Sequence, residues 1–200
     1  MSKIINFKIN LDRPEAASVK AVINFFKEGK VIVSPTDTIY GLSCLATNRA
    51  AVNRIYRIKK RNLAKPCLVL VSSFAMLKKY CRVNRQQIEW LHSAWPGPVT
   101  VILAGRPGLS PRLYDREGGL AVRLPQNDFL IKIINSLHAP LVSTSANLSG
   151  RKNLFNPIDY SGYFAPAQPD AIVDAGAPRK RKSSRVVDLR DIDNIKILRN

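Results

Sequence analysis

The sequence predicts an α/β fold, and three observations support this prediction. Short apolar runs with strand character alternate along the chain with segments whose apolar residues recur at helical spacing. A side chain that can cap a helix precedes most of the helical segments. The 200 residues, 46% of them hydrophobic, suffice for one globular domain with a sizeable core. We therefore expect a sheet with helices packed on it and ligand-binding loops at the ends of its strands.

The first predicted helix follows Asp12 and ends before Gly29. Its apolar residues recur at i, i+3, i+4 and i+7, as one face of an amphipathic helix requires. They are Val19, Val22, Ile23 and Phe26. A continuous apolar strand is predicted at residues 31–33. The carboxyl end of this strand leads into the polar loop Pro35-Thr36-Asp37-Thr38.

The second predicted helix begins after Asn48, whose side chain can cap it. Lys59 and Arg61 lie at or just past its end. The apolar face of this helix is Ala51, Val52, Ile55 and Ile58. The cations that it turns mostly outward are Arg54, Arg57 and Lys60.

Ser72 or Ser73 is predicted to cap a third helix, and Asn127 a later one. Residues 95–98, Trp-Pro-Gly-Pro, are typical of a turn, and residues 151–169 are predicted to form a loop. Further strands are predicted at residues 67–71, 99–103, 120–124 and 140–142. Three closing strands are predicted at residues 171–173, 186–189 and 195–198.

Charge is unevenly distributed along the chain, whose net charge is +18 from 32 basic and 14 acidic residues. No acidic residue lies between Asp37 and Glu89, an interval rich in lysine and arginine. A solvated surface explains such an excess poorly, because unbalanced cations repel one another. We favour contact with nucleic acid, through phosphates rather than a particular base sequence. The candidate residues are Arg54, Arg57, Lys60, Arg179, Lys180, Arg181 and Lys182.

The sequence contains few of the residues that disulfide bonds, metal sites and membrane-spanning segments require. Cys44, Cys67 and Cys81 are odd in number and follow no C-x-x-C spacing, so neither a disulfide framework nor a zinc site is indicated. His92 and His138 are too few for a histidine-based metal site. No apolar run approaches the roughly 18 residues of a membrane span, and the first residues lack signal-peptide features. We expect a cytoplasmic protein that does not act at a membrane.

Residues 143–150, Ser-Thr-Ser-Ala-Asn-Leu-Ser-Gly, place four hydroxyls and one carboxamide in eight positions. Two interpretations are open for this octapeptide: the cap of a helix, or a ligand site built from neutral donors and acceptors. The cations Lys59, Arg61 and Lys65 likewise suit either an RNA contact, a solvated helix end or a triphosphate. No phosphate-binding loop of the Walker or dinucleotide type is present, so side chains must hold any nucleotide.

Arg123 lies within the apolar strand at residues 120–124. An arginine among strand hydrophobes is rarely buried without an anionic partner. Either a structural carboxylate or a bound carboxylate should therefore face it, and an amino-acid substrate would supply the latter. The segment Thr36-Asp37-Thr38 has two interpretations as well, a simple turn or part of the same site.

Three segments in a fixed order resemble the YrdC/TsaC family of threonylcarbamoyl-adenylate synthases: residues 34–41, Lys59-Lys60-Arg61 and Ser145-Ala146-Asn147. The last two match the Lys-x-Arg and Ser-x-Asn signature of that family. The resemblance covers nearly the whole chain. It implies a single YrdC-like domain over residues 1–200, of the short form. It also implies a twisted, mostly open mixed sheet flanked by helices, with a positively charged concave cleft.

The resemblance implies a reaction in which L-threonine, bicarbonate or CO2, and ATP form threonylcarbamoyl-AMP and pyrophosphate. No residue acts as a nucleophile; Lys59 and Arg61 position the phosphates and stabilise their charge, and Mg2+ accompanies ATP. The implied threonine-binding residues are Thr36, Thr38, Arg123, Ser143 and Ser184. The implied ATP-binding residues are Lys59, Arg61, Lys65, Ser145 and Asn147.

Similar proteins pass the adenylate to a separate threonylcarbamoyl transferase complex that modifies tRNA. The charge excess supports an alternative, a non-catalytic protein that binds structured RNA such as tRNA or an rRNA precursor. A carbamoyl-transfer domain of the hydrogenase-maturation type shares the implied fold. We do not favour it, since these residues contain no acylphosphatase or zinc-finger segment.

Overall fold

The structure, a computed structural model, describes residues 4–160, 162–178 and 182–200. Within these ranges, eleven strands form one mixed sheet. The strands are β1 (Ile5–Lys8), β2 (Ile32–Ser34), β3 (Gly41–Leu45), β4 (Leu68–Leu70), β5 (Cys81–Arg82), β6 (Val99–Gly105), β7 (Gly119–Arg123), β8 (Leu141–Ser145), β9 (Ala171–Asp174), β10 (Arg185–Asp188) and β11 (Lys196–Arg199). The helices are α1 (Ala16–Lys27), α2 (Arg49–Lys59), α3 (Phe74–Tyr80), α4 (Arg85–Ala94) and α5 (Asp128–Leu137).

The strand order is β1-β9-β2-β3-β8-β4-β7-β6-β10-β11, and β5 pairs with β6 outside this path. Neighbours β1/β9, β2/β9, β4/β7 and β6/β10 are parallel, while the remaining pairs are antiparallel. The predicted fold class, a mixed sheet flanked by helices, is confirmed. Sequence reasoning did not identify β1, β3, β5 or α4.

The helix starts follow from their caps. Asn48 accepts a hydrogen bond from the backbone N–H of Ala51, and Asn127 accepts one from Leu130. Ser73 rather than Ser72 caps α3, with its hydroxyl accepting from Met76. These bonds satisfy backbone donors that have no partner within the helix, which is why α2, α3 and α5 begin where they do. Helix α1 begins after Glu15 without a side-chain cap.

The two faces of the sheet are covered differently. Helices α2, α3 and α4 pack on one face, over alternate strand residues such as Val33, Val69 and Val122. Helices α1 and α5 pack together on the opposite face, over Ile32, Leu70, Leu141 and the alternate residues of β9. This second pair of helices reaches only part of its face. The part that they leave uncovered is where a ligand can approach the strands.

Phe26 anchors α1 to the sheet and is fully buried in the second core cluster. We expect Phe26→Ala to destabilise the protein by about 3–5 kcal/mol, because it removes buried apolar area and leaves a cavity. Denaturant unfolding monitored by circular dichroism measures this. The control Ile158→Ala, at a side chain that is 70% exposed, should change the free energy of unfolding by less than about 0.5 kcal/mol. Equal effects of the two substitutions would contradict the described core.

Candidate functional site

A cavity of about 260 Å3 lies on the sheet face that α1 and α5 leave uncovered. Its floor is made by alternate residues of adjacent strands, since side chains of a strand point to one face at every second position. On β7, for example, Ala121 and Arg123 line the cavity, while Leu120 and Val122 are in the core on the other face. Other floor residues are Gly41, Leu68, Thr100, Ile102 and Ser143.

The loop between β2 and β3 forms one wall of the cavity. Thr36 donates its hydroxyl proton to the carbonyl of Ile39 at 2.7 Å and accepts from the backbone N–H of Thr38 at 3.0 Å. Its oxygen is also 2.9 Å from the hydroxyl of Thr38. The segment is therefore a tight turn, and both hydroxyls line the cavity. The turn interpretation is confirmed, and the binding role of Thr36 and Thr38 stays a prediction.

Arg123 is 2% exposed and lies beside this turn. Its Nη1 donates to the hydroxyl of Thr38 at 3.3 Å, and its Nη2 lies 3.2 Å from Oδ1 of Asp37. The sequence predicted either a structural or a bound carboxylate as the partner of Arg123. Asp37 is a structural carboxylate in that position. The ion pair lacks hydrogen-bond geometry, because Oδ1 of Asp37 and Nε of Arg123 have no hydrogen-bond partner among the described residues. Burial lowers the pKa of Arg123, and Asp37 partly offsets this.

The octapeptide is strand and turn, not a helix cap. Ser143 and Ser145 belong to β8, and residues 146–150 continue as turns. The helix-cap interpretation is therefore wrong. Ser143 and Ser145 both line the cavity. The hydroxyl of Ser145 donates to Oδ1 of Asn147 at 2.6 Å, which fixes the chain after the strand.

Lys59, the last residue of α2, is 1% exposed and holds this turn from behind. Its Nζ donates to the carbonyl of Ser145, to the carbonyl of Asn147 at 2.7 Å and to the Oδ1 of Asn147 at 3.1 Å. The structure therefore brings Lys59, Ser145 and Asn147 into one hydrogen-bonded group. Neither Lys59 nor Asn147 lines the cavity, but both hold the turn that follows the cavity residue Ser145.

Arg61 does line the cavity. Its Nε donates to the carbonyl of Lys65 at 2.8 Å and its Nη2 to the carbonyl of Pro66 at 3.1 Å. These bonds close the loop after α2 and do not involve Nη1, which can therefore donate to an anion in the cavity. The side chain of Lys65 is exposed and outside the cavity lining.

The C-terminal segment forms the opposite wall. Ser184 is 3% exposed and lines the cavity, as does Arg199 of β11. Arg199 donates to the carbonyl of Ser184 from Nε at 3.1 Å and from Nη2 at 2.7 Å. Burial, and then the charge of Arg61, lower the pKa of Arg199. Sequence reasoning missed Arg199, because the position of this cation at the end of an apolar strand does not show which face of the sheet its side chain takes.

Of the three guanidinium groups at the cavity, Arg123 is paired with Asp37. Within residues 4–160, 162–178 and 182–200, no ion pair joins Arg61 or Arg199 to a carboxylate. Asp115 lines the cavity but accepts from the backbone N–H of Gly119 at 2.6 Å and lies 3.4 Å from Arg190. The cavity is therefore suited to an anionic ligand.

The candidate RNA-binding residues have different environments. Arg54 is paired with Asp170, through bonds of 2.5 Å and 3.0 Å, and also donates to the carbonyl of Gln168. Arg57, Lys60 and Lys182 are exposed. Arg179, Lys180 and Arg181 lie outside the described residues.

Among the described residues, no group of three or more His, Cys, Asp or Glu side chains is placed to hold a metal ion. No helix in the described ranges has the length and apolar character required to cross a membrane.

The fold and the cavity together define an α/β protein with an arginine-lined cavity on the open part of a mixed sheet. Residues 24–200 match the Sua5_yciO_yrdC family, described as "Telomere recombination". The chain belongs to the Sua5/YciO/YrdC family, which confirms the resemblance found in the sequence.

Two relatives show how the chain compares in length. The threonylcarbamoyl-AMP synthase of Klebsiella pneumoniae is 32% identical over 183 residues, which is 90% of this chain and 95% of that protein. The threonylcarbamoyl-AMP synthase of Mus musculus is 32% identical over 178 residues, which is 86% of this chain but 62% of the mouse protein. The chain thus spans less than two thirds of the mouse relative.

Two solved structures are similar to this one. Escherichia coli YciO has a TM-score of 0.87 and 25% identity, covering 100% of this chain and 96% of its own. Pyrococcus abyssi Sua5 complexed with L-threonine has a TM-score of 0.80 and 29% identity, covering 94% of this chain and 54% of its own.

Lys59 should make stability depend on pH. Burial, and next the charge of Arg61, lower its pKa from the ordinary 10.5 to about 7, while its acceptor oxygens favour the ammonium form. Between about pH 7 and 10 the unfolded chain then binds the extra proton, so the stability contributed by Lys59 rises with pH. We expect the wild type to gain stability over Lys59→Met across this range, by up to about 1.4 kcal/mol per pH unit.

Denaturant unfolding of both proteins at several pH values between 6.5 and 9.5 measures the difference. Lys60→Met is the matched control, since Lys60 is the exposed neighbour, and its difference from wild type should not change with pH. A Lys59→Met difference that is flat or falls with pH would refute the prediction.

Proposed function

We propose that this chain is an L-threonylcarbamoyladenylate synthase, which converts L-threonine, bicarbonate or CO2, and ATP into threonylcarbamoyl-AMP and pyrophosphate. The observation that carries the proposal is the convergence of Arg123 and the Thr36–Thr38 turn with Arg61 and Ser145 on one cavity. The synthase names of relatives at 32% identity support it.

The reaction requires no nucleophile from the protein. The amine of threonine adds to CO2 and loses a proton, which gives a carbamate. A carbamate oxygen attacks the α-phosphorus of ATP, and the bond from that phosphorus to the bridging oxygen breaks, so that pyrophosphate leaves. The protein contributes positioning and stabilisation of charge on the phosphate oxygens.

We assign threonine to the side of the cavity formed by Arg123 and the β2–β3 loop. The guanidinium of Arg123 has an unpartnered Nε, and a carboxylate is the ligand that would complete its hydrogen bonds. The L-threonine complex of the Pyrococcus abyssi relative supports this choice of substrate. The assigned residues are Thr36, Thr38, Arg123, Ser143 and Ser184.

We assign the phosphates of ATP to Arg61, Arg199 and Ser145, which line the cavity. Lys59 and Asn147 would hold the turn that carries Ser145, and the exposed Lys65 would reach phosphates from the cavity mouth. ATP would enter as its Mg2+ complex, with the ion belonging to the substrate. The adenylate would then pass to a threonylcarbamoyl transferase complex that acts on tRNA.

Turnover assays with single-substrate omissions test the proposal. Pyrophosphate release should require L-threonine, bicarbonate and ATP together. Arg61→Ala should lower kcat/KM by about 10²–10³-fold, the typical loss when one group that stabilises transition-state charge is removed. Arg57→Ala is the matched control, because Arg57 lies in the last turn of α2, just before Arg61, but is exposed and outside the cavity lining, and it should retain activity within about twofold.

Circular dichroism and melting temperature would establish that Arg61→Ala is folded. Pyrophosphate release that is independent of threonine, or unchanged in a folded Arg61→Ala variant, would refute the assignment.

A second candidate function, binding of structured RNA, is favoured by the net charge of +18 and by the exposed Arg57 and Lys60 on α2. RNA could reach these side chains while small substrates occupy the cavity, so the two functions do not exclude each other. Arg54 would contribute less to such a surface than the sequence suggested, because Asp170 already binds it.

Salt dependence tests the RNA surface. Binding of an unmodified tRNA transcript should weaken steeply with salt, and Arg57→Gln/Lys60→Gln should reduce the slope of log K against log salt by about 1.5–2, one phosphate contact per residue. The control Lys20→Gln/Lys132→Gln has the same charge change on α1 and α5. Equal slopes for the two double variants would place the RNA surface elsewhere, and a salt-independent affinity would rule out phosphate contacts.

A further inference from the structure

Four cavity residues form a row across the sheet, perpendicular to its strands. Val101 pairs with Val122, so one residue further in the same register Thr100 lies opposite Arg123. Thr100 pairs with Val186, and Val186 pairs with Arg199. Paired residues on adjacent strands point to the same face. Thr100 is therefore placed between two arginines on the floor of the cavity.

The position of Arg199 in this row depends on a β-bulge. Val187 pairs with Ile197, whereas its neighbour Val186 pairs with Arg199, so Leu198 is the extra residue. Without the extra residue, Leu198 would lie opposite Val186 and Arg199 would point to the other face of the sheet. The bulge aims the guanidinium of Arg199 at the cavity and at Ser184.

Thr100 and Ser184 form a buried pair of hydroxyls, exposed by 1% and 3% and 2.8 Å apart. Nη2 of Arg199 lies 3.3 Å from the hydroxyl of Ser184 and donates to it. A hydroxyl has one proton and two acceptor positions. Arg199 fills one acceptor position of Ser184, and either hydroxyl of the Thr100–Ser184 pair can be the donor between them. When Thr100 donates, the second acceptor position of Ser184 is filled as well, and the proton of Ser184 is free to point into the cavity.

We propose that Thr100 is a positioning residue that turns Ser184 into a hydrogen-bond donor for an oxygen of the substrate carboxylate. This inference rests on the proposed function and deepens it. A carboxylate only accepts hydrogen bonds, and two donors lie next to Thr100: the hydroxyl of Ser184 and the guanidinium of Arg123. The next row holds Ala121 opposite Ile102, which cannot bind a charge. The carboxylate is thereby confined to the row of Thr100.

Thr100→Val tests this role, because valine keeps the shape of threonine and lacks its hydroxyl. The Ser184 hydroxyl can then donate elsewhere, so we expect the KM and the Kd for L-threonine to rise about tenfold. The KM for ATP and kcat should stay within about twofold. Thr100→Ser restores the hydroxyl and should return the threonine parameters to within about twofold of wild type. A general loss of structure would change the KM for threonine and the KM for ATP alike, and Thr100→Ser would not selectively restore the KM for threonine.

A double-mutant cycle shows whether Thr100→Val weakens threonine binding through Ser184. If Thr100 acts through Ser184, Thr100→Val/Ser184→Ala should bind threonine no more weakly than Ser184→Ala alone. Multiplied effects of the two substitutions, or a Thr100→Val variant that binds threonine as wild type does, would overturn the inference. Thr100→Ala serves as the second variant if valine prevents folding, with the same expected threonine defect and the same serine rescue.

Isothermal titration with L-threonine alone separates this inference from the proposed function. If the wild type binds threonine but releases no pyrophosphate, the synthase proposal fails while the titration of Thr100→Val still tests the hydroxyl pair. If the wild type does not bind threonine, the positioning role of Thr100 is refuted directly.

Discussion

The structure depends on the alternation of side chains along its strands, combined with unequal cover of the two sheet faces. Helices α2, α3 and α4 cover one face, and the strand residues there are large and apolar. Helices α1 and α5 cover only part of the other. Beyond them, the same strands carry Gly41, Ser143, Ala121 and Thr100 on that face. A Cβ on Gly41 would lie 2.6 Å from the hydroxyl oxygen of Ser143, and the φ of Gly41 is not positive, so this glycine is needed for space.

The arginines of the cavity carry a charge, so they need hydrogen-bond or ion-pair partners that the apolar residues of the core do not need. A guanidinium does not lose its proton in a protein, so its burial is tolerated only with partners. Arg123 has Asp37 and Thr38, and even these leave its Nε unbonded. Arg61 and Arg199 bind backbone carbonyls, and the charge of Arg61 contributes to lowering the pKa of Arg199. Their mutual repulsion persists in the free protein, and an anionic ligand would remove it. The charge cluster therefore favours the liganded state over the free one.

Much of the fold could be predicted from local signals, and the rest depends on contacts that are distant in sequence. Asn48 and Asn127 identified two helix starts, because a cap acts within three residues. Strand β3 was missed since its Gly-Leu-Ser-Cys-Leu sequence has no β-branched residue to indicate it. The cap interpretation of residues 143–150 failed because β8 pairs with β3 and β4 on either side, which no local pattern reports. Arg123 was found as a cation inside an apolar strand. Arg199 was not, since its direction depends on the bulge at Leu198.

In the Lys-x-Arg segment, one backbone feature places the two cations Lys59 and Arg61 in different environments. Lys60 has a φ of 49°, a left-handed conformation that ends α2. Lys59, still helical, is directed inward to the turn after β8, whereas Arg61, beyond the end of the helix, lies on the cavity wall. Continued helical geometry would separate the two side chains by about 200° around one axis, and would not place both against the same strand end. The spacing in the signature is thus a consequence of how the helix stops. Lys59 holds the polar turn after β8 and Arg61 lines the cavity, so the two cations contribute to one region of the structure through different contacts.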